Sequence, residues 1–309
     1  MRGLRRVLTE CLSISKNTAT LKGHIDEAKM LTAKGLILQL RERGRLNHLR
    51  DAEFKVFSQF GDDGIIQYLL QRVPLLSHRF IEFGVESYVE ANTRFLLLND
   101  NWQGLILDGS TEAMEAIRHE PLYWRNDLTA VAAFVTKDNI NQLFTQHGFT
   151  GDIDLLSVDI DGNDYWVWEA IQCVQPRIVI VEYNAVYGSK RAVTVPYDPQ
   201  FMRSKAHYSY LYWGVSLKAL CLLAERKGYG FVGCNSAGNN AYFVRKDCLG
   251  DLSPLTAETG YVNSRFRESR DPQGRLSFVG GKERIRLMSD MPIWDVEQQK
   301  MIKLAELIE

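Results

Sequence analysis

The apolar positions of this chain repeat with a helical period at first and then break into short blocks. Leu21, Ile25, Ala28, Leu31, Gly35, Leu36 and Leu38 form an imperfect stripe among Lys, Glu and Arg over residues 21 to 43, and Gly44 supplies a stop. A second helix includes Asp63 to Leu70 and ends near Pro74. From Arg79 onward, apolar runs of strand length alternate with helical segments. Phe80 to Gly84, Gly104 to Asp108, Thr129 to Val135, Ile153 to Asp159 and Arg177 to Glu182 read as five strands. Helices are expected at Glu90 to Leu98, Thr111 to Arg118, Asn139 to Phe144, Asp164 to Ile171 and Ser216 to Lys227. Phe231 to Cys234 and Ala241 to Arg245 close the series. Uninterrupted runs such as Ile178 to Val181 suit a parallel sheet covered on both faces.

This pattern divides the chain into an N-terminal helical extension (1–53), an α/β domain (54–248) and a C-terminal extension (249–309). An aromatic and basic insertion, 184–213, interrupts the α/β domain. At 309 residues, two domains or one enlarged domain are equally open before the alternation is read. With 45% apolar residues the chain can build a sizeable core. Lys and Arg total 37 and Asp and Glu 38, which argues against a dedicated nucleic-acid binder. No long uncharged apolar run suggests a membrane span. The five cysteines show neither C-x-x-C nor zinc-like spacing, and read as reduced thiols in a cytoplasmic protein. Arg2, Arg5 and Arg6 are followed by Glu10 and Lys16, which break the apolar core of a secretory signal. An amphipathic transit peptide and a plain docking helix or frayed end both stay open there.

In open α/β sheets, ligands sit at the carboxyl ends of the strands. Acids recur at these ends: Glu82 beside Gly84, then Asp108, then Asp159 and Asp161, then Glu182. Helix capping is the alternative role for such acids. The turn starting at Gly84 lacks G-x-G-x-x-G, so a dinucleotide pyrophosphate is not expected. Asp108 is placed to accept from ribose hydroxyls. An adenosine ligand without a diphosphate suggests S-adenosylmethionine, whose sulfonium tolerates acidic surroundings.

Several segments carry a more specific likeness. They are Ser58-Gln-Phe-Gly-Asp-Asp-Gly64, Ile81-Glu-Phe-Gly-Val85 with Asn92-Thr93, Leu105-Ile-Leu-Asp-Gly-Ser110, and Asp154-Leu-Leu-Ser-Val-Asp-Ile-Asp-Gly-Asn-Asp-Tyr-Trp166. Val179 to Asn184 and Gly228-Tyr229 add to it. Over residues 54 to 246 the chain resembles the FkbM-type class I methyltransferases and related bacterial sugar O-methyltransferases. The resemblance implies a Rossmann-like α/β fold, with a mostly parallel seven-stranded sheet and helices on both faces. It implies a cofactor site in which Glu82, Gly84, Asn92 and Thr93 face the methionine end and Asp108 holds the ribose, with Gly109 and Ser110 beside it. The stretch from Asp127 to Phe134 would approach the adenine, Asp159 would be a further cofactor contact, and Gln59 would close the site. An N-cap is the alternative role for Asn92 and Thr93.

Some related sugar methyltransferases hold a metal in a D-G-D-x-Y-like segment. Asp161-Gly-Asn-Asp-Tyr165 is similar, with Asn163 in the second acid's place. Asp161 and Glu182 are accordingly candidate ligands for Mg²⁺ or Mn²⁺, and catalytic candidates. Helix capping and a hydrogen-bonded Glu182 are the alternative. His207, inside the insertion, is a candidate base or a surface group. Lys190, Arg191, Arg203 and Lys205, with Tyr187, Tyr197 and Trp213, suit a diphosphate and a sugar, or a solvated loop. The leading expectation is O-methylation of a sugar hydroxyl, on a nucleotide-activated sugar or glycan precursor of a surface polysaccharide. A non-sugar small molecule or natural product, and a non-catalytic binding protein of the same fold, remain alternatives. A homo-oligomer and a monomer are both open.

Overall fold

The structure, a computed structural model, describes residues 2–308, with side chains from residue 17 onward save residue 19. Cys11 and the arginines of a transit-type signal therefore have side chains outside the described residues. Met1–Gly44 and Arg45–Glu309 are separate compact units. The first is one helix, α1 (Arg2–Arg43), with Arg41 and Arg43 in its last turn, where the helix dipole favours cations. Gly44 takes φ 65° just beyond it.

The second unit runs α2 (Asp62–Leu70), β1 (Arg79–Phe83), α3 (Arg94–Asn99), β2 (Gln103–Asp108), α4 (Thr111–His119), α5 (Pro121–Arg125) and β3 (Leu128–Ala132). It continues with α6 (Ile140–Gln146), β4 (Gly151–Val158), α7 (Asp164–Ala170), β5 (Val174–Glu182), β6 (Val193–Thr194) and α8 (Arg203–Ala206). After α9 (Leu217–Lys227) come β7 (Tyr229–Cys234), β8 (Asn240–Arg245), β9 (Pro292–Asp295) and β10 (Lys300–Lys303). Seven strands form one sheet in the order β3-β2-β1-β4-β5-β8-β7. β1 to β5 are mutually parallel, and β8 runs against both its neighbours.

This is the Rossmann-like α/β sheet expected. Its middle strands carry the core because both faces are covered. Leu155, Leu156, Val158 and Ile178 to Val181 are all buried. The chain winds from β1 outward to β3 and then returns to start β4 on the other side of β1. That reversal opens a crevice at the carboxyl ends of β1 and β4.

Several elements differ in extent from the pattern, α3 and β3 among them. The helix expected from Glu90 begins at Arg94, because Glu82 holds the backbone of Asn92 and Thr93. The third strand begins at Leu128 and ends at Ala132, pairing Gly104 with Leu128 and Asp108 with Ala132. A small second sheet, β10-β9-β6, was not expected. In it the insertion pairs with the C-terminal extension, Val193 opposite Asp295 and Thr194 opposite Trp294. Tyr187, Val193, Leu211, Met288, Ile293 and Leu304 pack as one cluster beneath it. The two segments thus share a core and form one cover.

Candidate functional site

The crevice widens into a cavity of about 510 Å³, a size suited to a small-molecule ligand. Its floor is the ends of β1, β4 and β5: Glu82, Gly84, Asp159, Asp161 and Glu182. Gln59 and the loop Val85 to Asn92 bound one side. Arg203, Leu211 and Trp213 from the insertion, with Ser264, Phe266, Glu268 and Arg284 from the C-terminal extension, bound the other.

Gly84 is where two strand ends nearly touch. Its φ is 77°, and an added Cβ would lie 1.6 Å from the carbonyl oxygen of Asp159. Only glycine fits both the conformation and the approach. Glu82 is buried, and both of its oxygens are used. Oε1 accepts from Asn92 N at 2.9 Å; Oε2 accepts from Thr93 N at 3.0 Å and Thr93 Oγ1 at 2.5 Å. Burial pushes its carboxyl up, against those hydrogen bonds. Thr93 is fully buried and does not reach the cavity wall, whereas Asn92 does, donating from Nδ2 to Ser157 Oγ at 3.1 Å. Glu82 therefore stitches the loop after β1 to the sheet.

Asp159 follows the last residue of β4 and Glu182 is the last residue of β5, so the two carboxyls meet in the cavity floor. Burial pushes both well above the usual carboxylate range. The charges of Asp161 and Asp164 push both the same way, and that of Asp159 raises Glu182 further, against the opposing charge of Arg203. Oε2 of Glu182 is buried without a hydrogen-bond partner. Such a pair disfavours two charges side by side and favours sharing a proton.

Asp161 sits apart from this pair. Its backbone takes φ 55°, and its Oδ1 accepts from Arg203 Nη1 at 2.9 Å. Arg203 also donates to Tyr210 O, lies over the Trp213 ring at 4.8 Å, and faces Glu268 Oε2 at 3.7 Å. The turn is held by Asp164, which is fully buried and accepts from Ile160 N and Gly162 N at 2.8 and 2.9 Å. Burial raises Asp164 to about 6 despite those bonds.

These residues do not fit a divalent cation. Among the described residues no group of three or more His, Cys, Asp or Glu side chains is arranged to hold one. Asp161 is committed to a guanidinium, which a cation there would meet at close range. Asn163 turns its amide away, donating to Asp198 O at 2.8 Å. The expectation of Mg²⁺ or Mn²⁺ on Asp161 and Glu182 thus finds no support in this arrangement, where Arg203 engages Asp161.

Five further expected residues, Asp108, Gly109, Ser110, Asp127 and His207, lie outside the cavity wall. Asp108 ends β2 as predicted, but the backbone of the preceding loop rests on it. Glu86 N donates to Oδ2 and Ser110 N to Oδ1, each at 2.8 Å. A carboxylate has about four acceptor positions, so two remain. Ser110 caps α4 by accepting from Ala113 N at 3.1 Å, with Gly109 between it and Asp108. Asp127 is at the wrong end of the sheet. It precedes the first residue of β3 and accepts from Gln103, the first residue of β2, whereas the crevice lies at the last. Its place near adenine is corrected by that register. His207 bonds Ser209 Oγ through Nδ1 at 2.7 Å and stacks at 4.3 Å on Tyr208, away from the wall, with burial lowering its pKa.

The insertion's cations do not converge either. Arg191 pairs with Asp295 at 3.2 Å, Lys190 and Lys205 are not at the cavity, and Arg203 is neutralised by acids. Sequence reasoning missed Asn239 and Asn240 of the β7–β8 turn, and Ser264, Phe266, Glu268 and Arg284. Nothing in their local spacing distinguishes them, because tertiary folding alone brings the extension to the strand ends. Among the described residues no helix is long and apolar enough to cross a membrane.

The chain matches no protein-family model and no curated protein. Solved structures similar to it include the following three. The N-terminal domain of EvdMO1 with SAH bound is 11% identical, with a TM-score of 0.39, over 69% of this chain and 94% of that one. An S-adenosylmethionine-dependent methyltransferase from Clostridium acetobutylicum is 10% identical, with a TM-score of 0.38, over 60% and 90%. An O-methyltransferase from Bacillus cereus in complex with SAH is 11% identical, with a TM-score of 0.38, over 70% and 89%. The chain itself has the seven-stranded, mostly parallel sheet with one reversed strand that defines the Rossmann-like fold class.

Proposed function

We propose that the chain is an S-adenosylmethionine-dependent O-methyltransferase acting on the hydroxyl of a sugar. The observation that carries this reading is the Asp159–Glu182 pair in the floor of a cavity at the switch point of the sheet. When bound, S-adenosylmethionine supplies a methyl carbon activated by a sulfonium. The residues that would hold it are the Gly84 to Glu86 turn and Asp108, whose remaining acceptor positions suit ribose hydroxyls. The floor and adjoining loop are acidic, with Glu82, Glu86, Glu90, Asp159, Asp161 and Glu182, which favours a cationic ligand.

The chain's own work is to position the acceptor and take its proton. Positioning two reactants is worth several kcal/mol. With a carboxylate ionised, the Asp159–Glu182 pair is the group in the floor suited to accept the hydroxyl proton. Asn239 and Asn240 offer neutral hydrogen-bonding groups of the kind a polyol uses, whereas Asn184 spends its amide on Leu211 O and Trp213 O. Calorimetric titration with S-adenosylmethionine tests the cofactor; no heat at millimolar ligand would end the reading. Incubation with a panel of free and nucleotide-activated sugars, read by mass for one added methyl, tests the acceptor.

A further inference from the structure

Arg284 is 8% exposed, yet it lines the cavity. Its Nε donates to Val279 O at 2.9 Å and Nη2 to Phe266 O. Those carbonyls satisfy two of the three nitrogens and none of the charge. The neighbouring glutamates are engaged elsewhere: Glu283 with Arg286, and Glu268 with Arg203 and Arg270. The charged group closest in effect is another cation, Arg267, and with burial it holds Arg284 below the usual arginine range. Arg267 is exposed and donates to Phe278 O at 3.2 Å. A buried guanidinium without an anion is costly, and a like-charged neighbour adds to the cost. Along a wall that is otherwise acidic, one corner is left with uncompensated positive charge.

We propose that Arg284, with Arg267 beside it, binds an acidic group of the acceptor at the C-terminal wall of this cavity. The group is a carboxylate or a phosphate, the two anions whose geometry matches the guanidinium fork. This rests on the methyltransferase reading only in calling the ligand an acceptor; the binding itself does not depend on turnover.

The test is calorimetry on the full chain with glucuronate, glucose 1-phosphate and glucose, each with and without S-adenosylmethionine. At least one acid is expected to bind ~30-fold or more tightly than glucose. Which acid wins identifies carboxylate or phosphate. Arg284→Gln should weaken that acid by a similar factor and leave glucose and S-adenosylmethionine binding unchanged. Because Arg284 also ties down Phe266 and Val279, Arg267→Gln at an exposed position is the second variant, with a smaller loss in the same ligand. It decides the matter alone should Arg284→Gln lose its cooperative unfolding. Acids that bind no better than glucose, or variants that lose acid and glucose equally, would overturn the proposal. Acid binding without S-adenosylmethionine binding would leave the subsite standing and remove the methyltransferase reading.

Discussion

Asp159, one residue past the end of β4, and Glu182, the last residue of β5, lie side by side in the cavity floor at the ends of adjacent parallel strands. Their burial and mutual repulsion favour a single negative charge between them, so they titrate in two steps. At low pH both are protonated and no base is present. The turnover number for methyl transfer is therefore expected to rise with pH through an apparent pKa above the usual carboxylate range. Glu182→Gln should lower it by ~10²-fold or more and flatten that limb, with little change in S-adenosylmethionine affinity. A pH profile of kcat in both proteins checks this, and an unchanged limb in the variant would remove the pair from catalysis.

Stability should have the opposite slope. Asp164 titrates at about 6 when folded, against an ordinary 3.8. Between those values the folded state holds the extra proton, so stability falls as pH rises. The favourable contribution is fully present below the unfolded value and is lost as pH rises through about 6. Asp63, Glu82, Asp159 and Glu182 are shifted in the same direction by burial. Urea midpoints should therefore be higher at pH 5 than at pH 7, and Asp164→Asn should reduce the difference.

Asp63 acts locally on the loop that carries Gln59. Its Oδ2 accepts from Val56 N, Phe57 N and Ser58 N at 2.8 to 2.9 Å, and from Ser58 Oγ at 2.7 Å. Asp63→Ala would strand these buried donors at a cost of about 3 kcal/mol or more. Denaturant unfolding measures it; a loss below ~1 kcal/mol would mean that water replaces the carboxylate.

The Asp161–Arg203 pair predicts that methyl transfer is indifferent to EDTA. Loss of activity on chelation, restored by Mg²⁺, would show that the pair opens to admit an ion. Asp161→Ala should lower turnover more than cofactor affinity, by freeing Arg203 and loosening the cover.

Much of this was legible in the chain. Apolar blocks ending in acids located β1, β2, β4 and β5, because strands buried on both faces leave few alternatives. Asp159 and Glu182 followed from their places at strand ends. The adenine-side expectation for Asp127 failed because strand ends are fixed by register with β2. Local pattern does not encode that register. Thr93 lies within the expected helix but serves Glu82, a contact made back to the strand before it. Arg284 and Phe266 belong to a segment without periodicity, and no local signal links them to strand ends some 100 to 200 residues earlier. His207 stood in a promising segment, yet its ring bonds to its own turn.

The small sheet that joins Val193 and Thr194 to β9 has a consequence in time. A chain emerging in order can form the parallel sheet and its acidic floor long before residues 292–303 exist. The insertion must wait, with β6 lacking its partner and its apolar face uncovered, until that last stretch arrives. The floor of the cavity is thus an early product of folding, and its acceptor-facing wall is among the last parts to be set in place.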